Sequence, residues 1–541
     1  MYCENCGAKL PSGANFCEEC GAKIDYADGL TEESTPKGGT SKSFGILEPD
    51  VFDNSDWKSK WLAAAQKASG LELGIILTDV STLSRDLNCS ALQLKELIAN
   101  YIDAAHQRDV HYYLLDVAEN SVQNADGTDV QSVVDLLKAV CDVARPKYLF
   151  ILGNEEVIEV ASWENQASDD DYDVLADLPY VTLDTTSPWE GQKYNFGQVL
   201  RTGRLPSYPG EKLSDFATYF DNAIKGIGFI DKIEPFGLSN IVWESQSQSQ
   251  YSKIDSSSVY TSPDITNDDV DAYIPGNVNL LYFNLHGSPV DKYWCGEVGN
   301  QEKKFPKAFS PKTIRTISSP YFLGVEACYG ARYTEGLTPD DSILLSAMQC
   351  GCLAFLGSSK MAYAPQPPTP GEADFMIGTF IRKIAEGESA GDAYCAAMRD
   401  VDEEKSPASI KFKTLAEFSL YGDPSARTGK NKSKSVLAKA FGGVAKGLRV
   451  PMPDLRRAVK SMQIDASSKA VQAFQSKLST NAKALGTGFN IMDYMQEEDA
   501  RYYQEGNQYR ASFSKSMGSI KQFAHVYFDD NGNIVKTYIS K

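Results

Sequence analysis

The stretch Gly324–Ala331, GVEACYGA, ends a run of strand-like residues, YFLGVEA, on a cysteine that stands two positions before a glycine. A buried strand can end on any small apolar residue, so packing alone would explain Cys328. The alternative is that the strand holds a nucleophile at its carboxyl end. A nucleophile needs a base and a substrate pocket, and the rest of the chain must supply both.

Apolar runs without alternation are interleaved with helical patterns from about residue 70 onward. Examples are LGIILTD, HYYLLDVA, KYLFILG, VNLLYFNLHG and CLAFLGSS. This pattern predicts an α/β fold with a mostly parallel sheet and helices on both faces. Active sites in such sheets lie at the carboxyl ends of the strands.

One of the four histidines stands in the place expected of a base. His286 follows the apolar run LLYFNL and precedes Gly287, so it lies at a strand end, as Cys328 does. If the two strands are neighbours, the imidazole can take the proton of the thiol. The backbone N–H groups of Gly287 and Cys328 are then candidates for an oxyanion hole.

Four segments in this order resemble the caspase–gingipain superfamily of cysteine peptidases, and the gingipain branch most. They are DLPYVTLD with GQVLRTGRLP, FNLHGS, VEACYG and EFSLYGDPSAR, spread over residues 70–430. The resemblance implies a caspase/gingipain-like fold with Cys328 as nucleophile and His286 as general base and acid. It also implies that Glu244, in NIVWES, assists the histidine.

Substrate preference can be argued from the strand that carries the cysteine. Side chains alternate along a strand, so Glu326 and Cys328 point the same way. A carboxylate there would pair a basic side chain before the scissile bond, best of all the fork of arginine. The resemblance adds Asp255 as a second specificity residue and Tyr363 as an aromatic pocket wall.

These residues predict a cysteine endopeptidase that cleaves after Arg or Lys. Self-processing at basic sites such as Lys37 or Arg456-Arg457 would follow from that preference. The alternative is a catalytically inactive scaffold on the same fold that recruits partner proteins.

The first twenty residues contain two cysteine pairs, Cys3-x-x-Cys6 and Cys17-x-x-Cys20. Four thiolates on two such turns complete a tetrahedral shell around Zn²⁺, which indicates a zinc ribbon with a structural or partner-docking role. A segment this short has no hydrophobic core, so the metal would drive its folding.

The net charge of −19 is unevenly distributed. Residues 430–477 carry eleven Lys or Arg against two Asp, and residues 478–541 carry seven charges of each sign, so the first 429 residues carry −28. An acidic body argues against nucleic-acid binding and suits a protein or peptide substrate with basic residues. The seven remaining cysteines are scattered, which favours a cytoplasmic location, and no apolar run reaches membrane-spanning length.

The sequence predicts four segments. They are a zinc ribbon at 1–24, a linker and leading helix at 25–69, a peptidase domain at 70–429 that divides near 235, and a unit at 430–541. The last begins with a basic helical segment and ends as a small α+β unit with a hairpin at Asn531-Gly532. The run SDDDYD at 168–173 indicates a solvated acidic loop, with a Ca²⁺ site as the minority alternative.

Overall fold

The computed structural model describes residues 57–541, except 69, 121, 191–195, 197–199, 229, 299–303, 367–368, 430–460 and 482–499. The chain divides into two compact units, Met1–Ser43 and Phe44–Lys541, and all the described residues belong to the second. The four zinc-ribbon cysteines, Lys37 and the basic run from 430 to 460 lie outside the described residues.

Strands and helices alternate through most of the second unit. The strands are β1 (Glu72–Thr78), β2 (Val110–Asp116), β3 (Tyr148–Leu152), β4 (Ala161–Glu164), β5 (Asp173–Ala176), β6 (Arg201–Leu205), β7 (Pro235–Asn240), β8 (Tyr260–Ser262), β9 (Leu280–Asn284), β10 (Trp294–Cys295), β11 (Lys307–Phe309), β12 (Tyr321–Val325), β13 (Cys352–Ser358), β14 (Tyr363–Pro365), β15 (Phe418–Gly422), β16 (Met462–Ile464), β17 (Arg501–Glu505), β18 (Gln508–Met517), β19 (Ile520–Phe528) and β20 (Ile534–Ser540). The helices are α1 (Trp57–Lys67), α2 (Val80–Asp86), α3 (Ala91–Ala105), α4 (Val130–Ala144), α5 (Leu178–Thr182), α6 (Leu213–Lys225), α7 (Glu244–Tyr251), α8 (Pro311–Ile314), α9 (Ile343–Gln349), α10 (Glu372–Ala385), α11 (Ala390–Glu403), α12 (Ala408–Glu417) and α13 (Lys469–Asn481).

The central sheet has ten strands in the order β2-β1-β3-β6-β15-β13-β12-β9-β7-β8. Neighbouring strands are parallel except at one place, where β13 and β15 run antiparallel. The sheet therefore consists of two parallel halves that run in opposite directions. The predicted mostly parallel sheet with packed helices is confirmed.

The strands that position the candidate site are buried along their whole length. Strands β9, β12 and β13 contain no exposed residue, which is why their sequences are continuously apolar rather than alternating. Helix α10 packs across all three strands. Gly324 permits this close approach, since a Cβ there would lie 2.9 Å from the Ile377 side chain on α10.

A second sheet is antiparallel and has the order β14-β20-β19-β18-β17-β16. Its turn between β19 and β20 contains Gly532 at φ +74°, a conformation that glycine adopts without strain. The hairpin expected at Asn531-Gly532 is therefore confirmed. Strand β14 comes from the peptidase-like part of the chain, so this sheet spans the boundary that the sequence placed near residue 430.

The EFSLYGDPSAR segment contains β15, and the residue that follows the strand, Asp423, belongs to a buried polar cluster. The Asp423 carboxylate, fully buried, accepts hydrogen bonds from the hydroxyls of Tyr101 and Tyr112 and pairs with Arg108 at 3.2 Å. Gly422 lies beside Ala354 near the amino end of β13. The cluster therefore lies at the opposite edge of the sheet from Cys328, and its role is structural.

The described helices of the protein are short or carry many polar residues. Within the described ranges, no helix combines the length and apolar character needed to cross a bilayer.

Candidate active site

The strands that lead to His286 and Cys328 are direct neighbours. Strand β9 pairs with β12 in parallel, with Phe283 opposite Val325. His286 lies two residues beyond the end of β9, and Cys328 lies three beyond the end of β12. Gly287 is in such close contact with Cys328 that a Cβ would lie 1.7 Å from the Cys328 carbonyl oxygen. The two predicted residues are thus brought to the same edge of the sheet.

The imidazole of His286 is fully buried and held from several sides. Its ring lies between Trp243 and Phe305, with centroids 4.5 and 4.9 Å away, and its backbone forms a bridge with Cys295. The Nε2 atom lies 3.0 Å from Oε2 of Glu297. Among the described residues, Nδ1 has no hydrogen-bond partner.

Glu297 orients the imidazole of His286. Burial acts to raise the pKa of Glu297, but the hydrogen bonds and positive charges around it, those of His286 first, outweigh burial, so its pKa is lowered. An ionised carboxylate only accepts hydrogen bonds, so Nε2 of His286 donates to it. In a neutral imidazole the lone pair then lies on Nδ1, where it can accept a proton.

Glu244, expected to assist the histidine, lies elsewhere. The predicted strand NIVWES ends at Asn240, whose side chain accepts from Val242 N–H and caps a 3₁₀ turn at Ile241–Trp243. Glu244 is then the first residue of α7 and is exposed. The carboxylate beside the imidazole is Glu297, in the loop after β10, a position that no sequence pattern marks.

The thiol of Cys328 is buried in an unreactive setting. Its Sγ lies 3.5 Å from the carbonyl oxygen of Ala362, to which it can donate a weak hydrogen bond. Burial raises the pKa of the thiol well above its usual value. In this arrangement Cys328 is a neutral thiol and not a thiolate.

A segment of the same chain occupies the groove beside Cys328. This docked segment, residues 534–541, pairs antiparallel with β14, with Ser540 opposite Tyr363 and Tyr538 opposite Pro365. The Lys541 N–H donates to the Ala362 carbonyl at 2.9 Å. The Cys328 N–H donates to the Lys541 carbonyl at 3.3 Å.

The side chain of Lys541 fills a closed polar pocket below the cysteine. Its Nζ lies 2.9 Å from Oδ1 of Asp374, 3.1 Å from Oδ1 of Asn284 and 3.3 Å from Oε2 of Glu326. The Trp243 ring lies over the ammonium, with its centroid 4.4 Å from Nζ. Only 1% of the Lys541 side chain is exposed, so the pocket encloses it completely.

The two carboxyl groups of this pocket act on one another. Burial and the neighbouring Asp374 raise the pKa of Glu326 well above its usual value. The Tyr282 hydroxyl donates to Glu326 Oε1 at 2.7 Å, and Asp374 accepts from Gly371 N–H at the start of α10. Of the two carboxyl groups, Asp374 makes the shorter contact with the ammonium of Lys541.

Two residues expected in the pocket lie outside it. Asp255 follows α7, where its carboxylate accepts from Ser257 N–H at 2.7 Å in a local turn. Tyr363 points to the other face of β14, where its hydroxyl donates to Asp169 at 2.8 Å. The aromatic wall of the pocket is Trp243. Alternation along β14 explains the difference, because the Tyr363 backbone borders the groove and its side chain does not.

The acidic run at 168–173 is not simply a solvated loop. Asp169 and Asp171 are buried, and both accept from the Lys413 ammonium, at 2.6 and 2.7 Å. Lys413 thus supplies the positive charge that a cation would supply, and Ca²⁺ has no support. In the described part of the chain, no cluster of His, Cys, Asp or Glu has the composition of a metal site.

Comparison with known proteins gives matches at two levels. Residues 2–24 match the model of a zinc-ribbon domain family. Curated protein sequences give no match. Among solved structures, the chain is similar to the Arg-specific cysteine proteinase gingipain R, with a TM-score of 0.48, 11% identity, and 87% of this chain and 91% of that chain covered.

Two further solved structures are similar over the same share of this chain. One is a complex of the pro- and mature domains of RgpB from Porphyromonas gingivalis, with a TM-score of 0.47, 12% identity and coverage of 87% and 93%. The other is described as a protease, with a TM-score of 0.43, 13% identity and coverage of 87% and 97%. The similarity concerns the fold.

The contact between Gly287 and Cys328 predicts that alanine substitutions at two glycines will differ sharply in their effect on stability. Gly287→Ala should lower the free energy of unfolding by about 1–3 kcal/mol, because its Cβ would overlap the Cys328 carbonyl. Gly276→Ala, just before β9, is the matched control, since nothing lies within 4 Å of a Cβ there. Urea unfolding followed by fluorescence measures both variants, and equal stability of the two would contradict the close contact.

Proposed function

We propose that this protein is a cysteine endopeptidase that cleaves peptide bonds after lysine. The observation that carries the proposal is the position of Lys541, whose carbonyl accepts from Cys328 N–H while its ammonium fills the Glu326–Asp374 pocket. An extended chain that pairs with a sheet edge and places one carbonyl beside a cysteine and a histidine has the pose of a substrate. Lys541 stands for the residue before the scissile bond.

The chemistry requires only the groups at this edge of the sheet. Nδ1 of His286 takes the thiol proton as the sulfur of Cys328 attacks the carbonyl carbon and forms the C–S bond. The oxyanion is stabilised by the Cys328 N–H and, in this proposal, by the Gly287 N–H. The C–N bond then breaks as His286 gives its proton to the leaving amine. Water, deprotonated by His286, hydrolyses the thioester and restores the thiol.

Glu297 is proposed as the positioning residue of the pair. Its carboxylate holds the proton on Nε2, so that the Nδ1 lone pair is always available to the thiol. It also stabilises the imidazolium that forms during attack, as the buried acid of a catalytic triad does.

The pocket suits lysine better than arginine. An ammonium has three donors on one atom, and Nζ of Lys541 donates to Asn284 and Asp374 while Glu326 lies 3.3 Å away. A guanidinium is larger and planar, and it spreads its five donors over a fork that this closed pocket would have to expand to admit. The sequence alone favoured arginine, because it indicated one carboxylate and not the number or arrangement of acceptors.

The N-terminal segment is proposed to bind Zn²⁺ through Cys3, Cys6, Cys17 and Cys20. The match of residues 2–24 to a zinc-ribbon model and the four-thiolate donor set support this proposal. With all four positions filled by protein, the ion would stabilise the segment for structure or partner docking, and catalysis would not use it.

A catalytically silent scaffold is the second candidate. The observation that favours it is the neutral, buried thiol of Cys328, directed at Ala362 rather than at His286. The two candidates differ in one respect that can be measured, namely whether Cys328 reacts with a lysine substrate once the pocket is open.

A fluorogenic panel tests the peptidase and its preference. Peptides with Lys, Arg, Asp, Asn or Leu before the bond are assayed with the wild type and with Lys541→Gln, since Lys541 competes for the pocket. We expect lysine to exceed arginine by roughly tenfold or more in kcat/KM, and Cys328→Ala to reduce the rate by roughly three orders of magnitude. Preference for Asp or Leu would refute the acidic pocket, and no Cys328-dependent cleavage would favour the scaffold.

The two pocket carboxyls should contribute unequally. Asp374→Asn removes the carboxyl group that makes the shorter contact with the ammonium, at 2.9 Å, and should lower kcat/KM on lysine peptides by about ten- to a hundredfold. Glu326→Gln changes the more distant group, at 3.3 Å, and should cost less than about tenfold. Steady-state kinetics on one lysine peptide compares the two variants, and a larger loss for Glu326→Gln would contradict this ranking.

Two glutamates provide a matched test of histidine positioning. Glu297→Gln should lower kcat by at least about tenfold, because an uncharged amide stabilises the imidazolium poorly and does not fix the tautomer. Glu244→Gln, with the same change on an exposed helix start, should leave kcat unchanged. The opposite ranking would return the positioning role to Glu244.

A further inference from the structure

The docked segment is an integral part of the folded chain. Strand β20 pairs on one side with β14, which borders the groove, and on the other with β19 of the antiparallel sheet. The Phe523 N–H donates to the Ser540 hydroxyl at 2.9 Å, which fixes the end of the pairing between β19 and β20. The segment therefore reaches the pocket as an internal strand and not as a loose end.

Further polar contacts join the antiparallel sheet to other segments of the chain near the groove. The Ser288 hydroxyl, two residues beyond His286, donates to the Ser519 carbonyl at 2.7 Å. Lys521 pairs with Asp170 at 2.8 Å. The sheet is therefore held by the loop that follows His286 and by the acidic run at 168–173, in addition to its pairing with β14.

Cys328 is buried together with side chains of the antiparallel sheet. It belongs to a buried cluster with Phe523, Tyr527 and Tyr538, and only 3% of Cys328 is exposed. The unit that fills the groove therefore also contributes to the burial of the thiol.

The thiol and the base are both without their catalytic partner in this arrangement. Cys328 Sγ is directed at the Ala362 carbonyl, and among the described residues His286 Nδ1 has no hydrogen-bond partner. Lys541 N–H donates to the same Ala362 carbonyl, so the docked segment and the thiol share one acceptor. Removal of the segment would free the groove edge on which a substrate backbone must pair.

We infer that residues 501–541 form a built-in inhibitor that keeps the site closed, with Lys541 as its anchor in the substrate pocket. This inference rests on the proposed function, because it assigns to the segment the place of a lysine substrate. The enzyme is then latent until the segment leaves the groove. Since the segment is tethered, it competes at a high effective concentration, and added peptide displaces it poorly.

The segment also indicates which substrates the groove accepts. Its side chains run Tyr538, Ile539, Ser540, Lys541 toward the cysteine, and the Tyr538 hydroxyl lies 3.3 Å from the Glu372 carboxylate. Acetyl-Tyr-Ile-Ser-Lys coupled to aminomethylcoumarin is therefore the matched peptide probe.

The test uses the full-length protein with the anchor altered. Lys541→Gln and Lys541→Glu remove or reverse the charge in the pocket, and Lys312→Gln makes the same change at an exposed position of helix α8 as the control. Iodoacetamide labelling of Cys328 is followed by peptide mass spectrometry, with Cys89, a half-buried free cysteine near α3, as internal reference. Cleavage of the matched probe is measured on the same samples.

Loss of the anchor should raise the labelling rate of Cys328 by about ten- to a hundredfold, since a buried charged hydrogen bond is lost, while Cys89 stays constant. Lys312→Gln should behave as the wild type. A variant that failed to fold would be recognised by parallel acceleration at Cys89, and the second substitution then provides the measurement.

The outcomes separate this inference from the proposed function. Faster Cys328 labelling with faster cleavage supports both. Faster labelling without cleavage supports the built-in inhibitor and refutes the peptidase. Unchanged Cys328 labelling in both Lys541 variants overturns the inhibitor, whether or not the wild type cleaves the probe.

Discussion

The buried ammonium of Lys541 is the interaction on which the site depends. A fully buried charge costs several kcal/mol unless its environment replaces water, and here two carboxyl groups, an amide oxygen and an indole face do so. The acceptors come from the ends of β9 and β12 and from the start of α10. One side chain thereby ties the antiparallel sheet to three elements of the central sheet layer.

A second buried ammonium lies on the other face of β14. Lys413 is enclosed by Asp169 and Asp171, which also accept from the hydroxyls of Tyr363 and Tyr329. This cluster holds both β14 and the residue after Cys328 in place, so it supports the groove edge without entering the groove. The two lysines have different places. Lys413 lies in the cluster that supports β14, whereas Lys541 lies inside the pocket beside the groove.

The reversal of strand direction between β15 and β13 separates two polar clusters of the central sheet. It places the carboxyl ends of β9 and β12 at one edge of the sheet and the Asp423 cluster at the other. His286 and Cys328 thus share an edge with the antiparallel sheet. The acidic Asp423, despite its place in a family-like motif, ties α3 and β2 to β15 and takes no part in the site.

Local sequence patterns determined the strands and helices and the places of His286 and Cys328. Unbroken apolar runs that end near these two residues are sufficient to place both at strand ends. Such inferences depend on periods of a few residues. Only the tertiary structure decided that Glu297 and not Glu244 lies beside the His286 ring, and that Asp374 and Trp243 rather than Asp255 and Tyr363 surround the ammonium of Lys541. Those residues are far apart in the sequence and meet because of how helices and sheets pack, which no local period records.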